Sequence, residues 1–181
     1  MTDTVYIPEE DSFLLASCVI KYVKGKTLDM GCGSGIQGIT ALMNKNVTEV
    51  TFSDINSNAL KYAKDALTED NNSKSKKVHF IHSNLFENIK GSYDTIIFNP
   101  PYLPEDGLDN EVLITTGGKN GYELIETFLK QAKSHLNIDG QILLLFSSLS
   151  QKGEIDQIIK NLNYNKFQIG KELLFMEQLY V

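Results

Sequence analysis

The chain has 181 residues, a net charge of −6 and 17 cations, every one of them lysine. An apolar share of 41% and a charged share of 22% belong to an ordinary globular domain, long enough to bury a core without disulfide or metal staples. No apolar run approaches the roughly 18 residues of a membrane span, the acidic start MTDTVYIPEED is unlike a secretory signal, and the lack of arginine argues against a broad phosphate-binding face. A single cytoplasmic domain over residues 1–181 is predicted.

Taken in chain order, helical patterns cover Ser12 to Val23, Ile36 to Asn44, Ser57 to Thr68, Tyr122 to Leu136 and Gln151 to Leu162. Strand patterns cover Lys26 to Met30, Val47 to Ser53, Val78 to Ile81, Tyr93 to Phe98, Gln141 to Ser147, Lys166 to Ile169 and Leu173 to Val181. Their alternation predicts right-handed βαβ units around a parallel sheet covered on both faces, with the last two strands as an antiparallel hairpin across Gly170. The segment Asp70 to Lys77 reads as a solvated loop, and Leu103 to Lys119 as a long connection leaving a strand's carboxyl end. Cys18 and Cys32 read as two thiols, and His79, His82 and His135 are not in metal-ligand spacing, so no metal is expected.

The first strand runs into Asp29-Met30-Gly31-Cys32-Gly33-Ser34-Gly35, a glycine turn opening a helix that offers free N–H groups to a nucleotide-like ligand. Two registers compete. Gly33, Gly35 and Gly38 satisfy a dinucleotide pattern, with Asp54 at the distance of a ribose-binding acid. The alternative makes Gly31, Gly33 and Gly35 the turn, and it is preferred because it places Asp29 at the strand's exposed end and spares the cost of burying it. In either register the two oxygens of Asp54 match a ribose cis-diol, with a helix N-cap as the competing role.

The strand Tyr93 to Phe98 leaves through Asn99-Pro100-Pro101-Tyr102. Two prolines fix φ and remove N–H donors, so a stiff segment is presented there. The lone pair of a planar NH2 group is delocalised, and its methylation needs acceptors that orient the N–H groups and stabilise growing positive charge. The side-chain carbonyl of Asn99 and the backbone carbonyl of Pro100 supply two such acceptors, and Tyr102 can stack on the planar group.

The pattern DxGxGxG resembles the first motif of class I S-adenosylmethionine-dependent methyltransferases, and NPPY resembles the signature of those acting on amide or nucleobase nitrogens. With Tyr6-x-Pro8-x-Glu10-Asp11-Ser12-Phe13-Leu14-Leu15 and Thr116-Gly117-Gly118-Lys119-Asn120-Gly121, nearly the whole chain resembles the HemK family, in its compact archaeal and eukaryotic HemK2-type branch. The resemblance implies a Rossmann-like α/β fold with a seven-stranded, mostly parallel sheet and an antiparallel edge hairpin. It implies S-adenosylmethionine as cofactor and S-adenosylhomocysteine as product, held by Ser12, Asp29, Gly31, Gly33, Gly35, Asp54, Asn84, Leu85 and Asn99. Asn84 departs from the family, which commonly has Asp there to accept from the adenine amino group. Catalysis is expected from Asn99, Pro100 and Tyr102 on the glutamine amide of a Gly-Gly-Gln motif in a class I release factor. A small zinc-binding activator is expected at the apolar outer strand Val78-His79-Phe80-Ile81. The alternatives are an exocyclic amine of adenine or guanine in nucleic acid, a protein lysine, or hydride transfer from a nicotinamide cofactor in the Gly33-Gly35-Gly38 register.

Overall fold

The computed structural model describes residues 4–69, 76–104 and 117–181. Most of the two loops predicted at 70–77 and 103–119 lies outside these residues. In order, the elements are α1 (Glu10–Tyr22), β1 (Gly25–Met30), α2 (Ile36–Met43), β2 (Val47–Asp54), α3 (Ser57–Glu69), β3 (Lys77–His82), β4 (Tyr93–Phe98), α4 (Glu123–Ala132), β5 (Leu136–Leu144), β6 (Phe146–Ser147), α5 (Lys152–Asn161), β7 (Lys171–Leu174) and β8 (Glu177–Tyr180). Among the described residues no helix is long and apolar enough to cross a membrane.

Strands β3-β2-β1-β4-β5 form a sheet in that order, all parallel, and β6-β8-β7 form an antiparallel sheet. The expected seven strand lines are thus divided between two sheets. Only Leu145 separates β5 from β6, and its N–H still donates to the Phe98 carbonyl, 3.1 Å away, so the two strands run on as one line.

Alternation along the central strands builds the core on both faces. Leu28, Met30, Ile96 and Phe98 pack with Ile125 and Phe128 of α4, whereas Ile97 packs on the other face with Leu15 and Val19 of α1 and Phe52 of β2. A strand buried on both sides must be apolar at odd and even positions alike, which is why Thr95-Ile96-Ile97-Phe98 is a continuous run.

Two predicted elements move. Lys166 to Ile169 is not a strand, and the hairpin is β7–β8, turning at Phe175 and Met176. Gly170 lies before the hairpin, where it and Ile169 donate to the Val181 carbonyl. The fourth predicted helix stops at Ala132, and after a 3₁₀ turn Leu136 already pairs with Tyr93 as the start of β5. Of the apolar positions that extended the predicted helix, Leu129 and Ala132 do lie on its buried face, whereas Leu136 belongs to the sheet.

Candidate active site

At the carboxyl ends of β1 and β4, a cavity of about 820 Å³ is bounded by the glycine turn, the start of α1, the Asn99–Tyr102 segment and the beginning of β8. This is the edge where a parallel α/β sheet opens its loops, and the volume suits a nucleotide-sized ligand together with an acceptor side chain.

Gly31, Gly33 and Gly35 have φ values of 60°, 52° and 83°, a left-handed run that glycine adopts without cost. Strand β1 ends at Met30, so Gly31 already belongs to the turn, as the DxGxGxG register requires. The reason first given for that register does not hold, however: Asp29 is 1% exposed, not at an open strand end. Its Oδ2 accepts the Gly38 N–H at 2.8 Å, which satisfies the carboxyl inside the fold. Burial nevertheless pushes its pKa up to about 7, against the lowering effect of that N–H. Asp29 and Gly35 therefore stand behind the cavity wall, whereas Ser12, Gly31, Gly33, Asp54, Asn84, Leu85, Asn99, Pro100 and Tyr102 all line it.

Asp54 closes β2 and holds the turn. Its Oδ2 accepts from Gly33 N–H at 2.9 Å, and its Oδ1 accepts from Asn56 N–H at 2.8 Å. The expected helix-cap role falls to Asn56 instead, whose Oδ1 accepts the Asn58 N–H at 2.9 Å at the start of α3; Asp54 makes the turn before it and lines the cavity, each oxygen keeping a further lone pair. Burial raises its pKa, and the backbone N–H groups of Asn56 and Gly33 pull it back. Asn84 donates its NH2 to Glu87 Oε1 at 3.0 Å, which leaves its carbonyl as the group a ligand's amino hydrogen would meet. Leu85 sits at φ 44°, its carbonyl held by the Ser83 hydroxyl at 2.8 Å.

The Asn99 amide is oriented by residues from α1. Its Nδ2 donates to Asp11 Oδ2 at 2.9 Å and approaches Ser12 Oγ at 3.5 Å. Asp11 is itself fixed, its Oδ1 accepting from the Tyr6 hydroxyl at 3.0 Å and the Ser12 N–H at 2.5 Å. Burial first, and then the Asp11 carboxylate, raise the pKa of Tyr6 and keep its proton on the phenol. With its NH2 committed, Asn99 keeps Oδ1 buried and without a partner among the described residues. Of four buried side-chain polar atoms without a partner among the described residues, three belong to residues that line this cavity: Asn99 Oδ1, Gln37 Oε1 and Glu177 Oε1. Unpaired buried acceptors are costly, and each of these is a candidate partner for an N–H group that a ligand brings.

Tyr6 and Asp11 are legible in the sequence only as members of the motif leading into α1 and not as site residues, and Gln37 and Glu177 are not singled out at all. Gln37 is legible only as a polar residue within the apolar helix Ile36–Met43; its Nε2 donates to the Ser12 carbonyl at 2.9 Å. Glu177 carries no local signal, since the hairpin that delivers it is far away in the chain. The lining carries the carboxyl groups of Glu9, Asp11, Asp54, Glu123 and Glu177 and, among the described residues, no lysine, arginine or histidine.

A family model described as "Methyltransferase small domain" matches residues 9–169. A Methanocaldococcus jannaschii protein, provisionally named a protein N5-glutamine methyltransferase, is 34% identical over 173 residues, covering 93% of this chain and 85% of that protein. Ribosomal RNA small subunit methyltransferase C of Haemophilus influenzae is 33% identical over 135 residues, 75% of this chain, which spans only 36% of that longer protein. Among solved structures, the E. cuniculi Mtq2–Trm112 complex, which methylates the eRF1 translation termination factor, has a TM-score of 0.73 at 24% identity, covering 99% of this chain and 96% of its own. A ribosomal protein L11 methylase from Lactobacillus delbrueckii subsp. bulgaricus has a TM-score of 0.68 at 20% identity, covering 97% and 79%.

Proposed function

Because the chain belongs to the methyltransferase small domain family, we propose that it methylates the side-chain amide nitrogen of the glutamine in a Gly-Gly-Gln motif of a class I peptide-chain release factor. It is an S-adenosylmethionine-dependent methyltransferase, and the cofactor supplies an electrophilic methyl group on a sulfonium. The cavity fits that cofactor: Asp54 offers carboxylate oxygens to a ribose diol, Asn84 a carbonyl to adenine, and Gln37 an unpartnered oxygen beside the glycine turn. Ser12, Gly31, Gly33, Leu85 and Asn99 complete the binding wall, with Asp29 and Gly35 supporting the turn from behind.

The observation that carries the reading is the Asn99 amide, held through its NH2 by Asp11, with its oxygen left buried and without a partner among the described residues. That oxygen and the Pro100 carbonyl are suited to take the two N–H groups of one carboxamide, turning its nitrogen toward the methyl donor and stabilising the charge that develops there. Tyr102 packs at the same mouth; burial and the carboxylates of Asp11 and Glu177 raise its pKa, so it stays a neutral ring and donor. The likeness to the M. jannaschii protein supports a glutamine acceptor over a base, and so does a lining without cations, among the described residues, to meet phosphate. A small zinc-binding activator subunit fits the exposed edge of β3, the outermost strand of the parallel sheet.

Incubation with labelled S-adenosylmethionine and either a purified release factor or ribosomal RNA tests the acceptor. Label on the release factor is expected, abolished by replacing its motif glutamine; label on RNA alone would overturn the proposal. Asn99→Ala is expected to collapse turnover, and unchanged turnover would remove Asn99 from the mechanism.

A further inference from the structure

The turn of the β7–β8 hairpin exposes Phe175 by 93% and Met176 by 84%, an apolar pair left uncovered among the described residues. Topology fixes where that turn lies. Strand β6 continues the parallel sheet, β8 is antiparallel to β6, and β7 is antiparallel to β8. Strand β7 therefore runs with the parallel strands, and its turn emerges at their carboxyl edge, the edge that also carries the glycine turn and Asn99. The next residue, Glu177, faces inward: it lines the cavity, its Oε1 is buried without a partner, and its carboxylate acts on Tyr102.

The hairpin is anchored to the acceptor loop. Ser148 Oγ accepts the Gln178 N–H at 3.0 Å, and two residues on, the Ser150 hydroxyl donates to the Tyr102 carbonyl at 2.8 Å. A short 3₁₀ turn thus ties both β8 and Tyr102 to one segment, so the hairpin tip and Asn99–Tyr102 keep a fixed separation.

We propose that the β7–β8 hairpin tip is the docking rim for the polypeptide that delivers the acceptor. Phe175 and Met176 lie against apolar side chains of that polypeptide, and the Glu177 carboxylate at the cavity wall takes a main-chain N–H next to the acceptor residue. A small free acceptor would end inside the cavity and would leave the outer pair unused. A nucleic acid strand would need cations where the cavity lining has none among the described residues. An extended polypeptide supplies both what the tip lacks, apolar cover, and what Glu177 lacks, an N–H donor.

The inference rests on the protein-substrate reading above, and the test separates the two. Kinetics are measured on a purified class I release factor with the unaltered protein, with Phe175→Ser/Met176→Ser, and with Glu177→Leu and Glu177→Gln. Calorimetry with S-adenosylhomocysteine runs alongside. The double variant and Glu177→Leu are each expected to raise KM for the release factor about tenfold, the scale of one lost anchor or one lost hydrogen bond to a charged group. Affinity for S-adenosylhomocysteine should stay unchanged, and Glu177→Gln, which keeps an acceptor oxygen, should recover most of the lost KM. An unchanged KM in the double variant overturns the docking rim. So does a parallel loss of S-adenosylhomocysteine affinity, which would make the effect structural. Glu177→Gln as poor as Glu177→Leu overturns the main-chain N–H assignment, because charge would then be what matters. No label on the release factor with the unaltered protein overturns this inference together with the proposed substrate.

Discussion

Asp29 is a carboxyl enclosed by the fold with one N–H for company. Its pKa is raised from the ordinary 3.8 to about 7, so the folded state binds its proton more tightly than the unfolded chain does. Stability is therefore lost as pH rises between these two values, by up to about 4 kcal/mol for this one group. Asp29→Asn keeps an oxygen for the Gly38 N–H and has no charge to bury. Thermal melts from pH 4 to 8 should show the variant gaining on the parent protein as pH rises; parallel curves would mean Asp29 ionises freely. Asp11 presents the opposite case, a carboxylate placed to hold another side chain. Asp11→Ala releases the Asn99 NH2, and turnover is expected to fall at least about tenfold as the amide oxygen loses its aim. Calorimetry with S-adenosylhomocysteine separates this from general damage, since an equal loss of cofactor affinity would assign Asp11 to the start of α1 instead.

The segment Gly117–Gly121 explains why a glycine-rich motif accompanies the two prolines. Gly117 N–H donates to the Leu103 carbonyl at 3.0 Å, and a Cβ on Gly121 would lie 2.4 Å from the Tyr102 carbonyl oxygen, on a residue already at φ +84°. Gly121→Ala should cost about 2 kcal/mol through strain and overpacking and should displace Tyr102. The expected result is a lower melting temperature with a disproportionate loss of turnover, checked by melts and assays on one preparation; a loss of stability alone would disconnect this loop from the acceptor site. The β1–glycine turn–α2 unit and the β4–Asn99 unit were readable because each is contiguous and each residue's chemistry matches its place. The hairpin was displaced by several residues because Phe175-Met176 has no turn chemistry: Met176 takes φ 60° without glycine or asparagine to announce it. Gln37 and Glu177 escaped notice because their partners are brought near only by the folded sheet, and no spacing along the chain records that.

Across the molecule, the parallel sheet is packed on both faces, and its carboxyl edge gathers α1, the glycine turn, the acceptor loop and the hairpin around one cavity. A ligand filling that cavity links these elements and stabilises the fold by mass action. At a hundredfold excess over its Kd, S-adenosylhomocysteine should add about 2.7 kcal/mol, raising the melting temperature by roughly 5–10 °C. NAD at the same concentration should leave it unmoved. A shift with NAD instead would revive the dinucleotide register of Gly33, Gly35 and Gly38.

Cys32 lines the cavity within the glycine turn. Burial first, and then the carboxyls of Asp29 and Asp54, raise its pKa and keep the proton on sulfur. Thiolate, not thiol, is the nucleophile, and a thiolate facing a sulfonium methyl group would compete with the intended nitrogen. Burial of Cys32, reinforced by the acidic residues around the turn, thus disfavours the form of the side chain that an alkylating cofactor could modify.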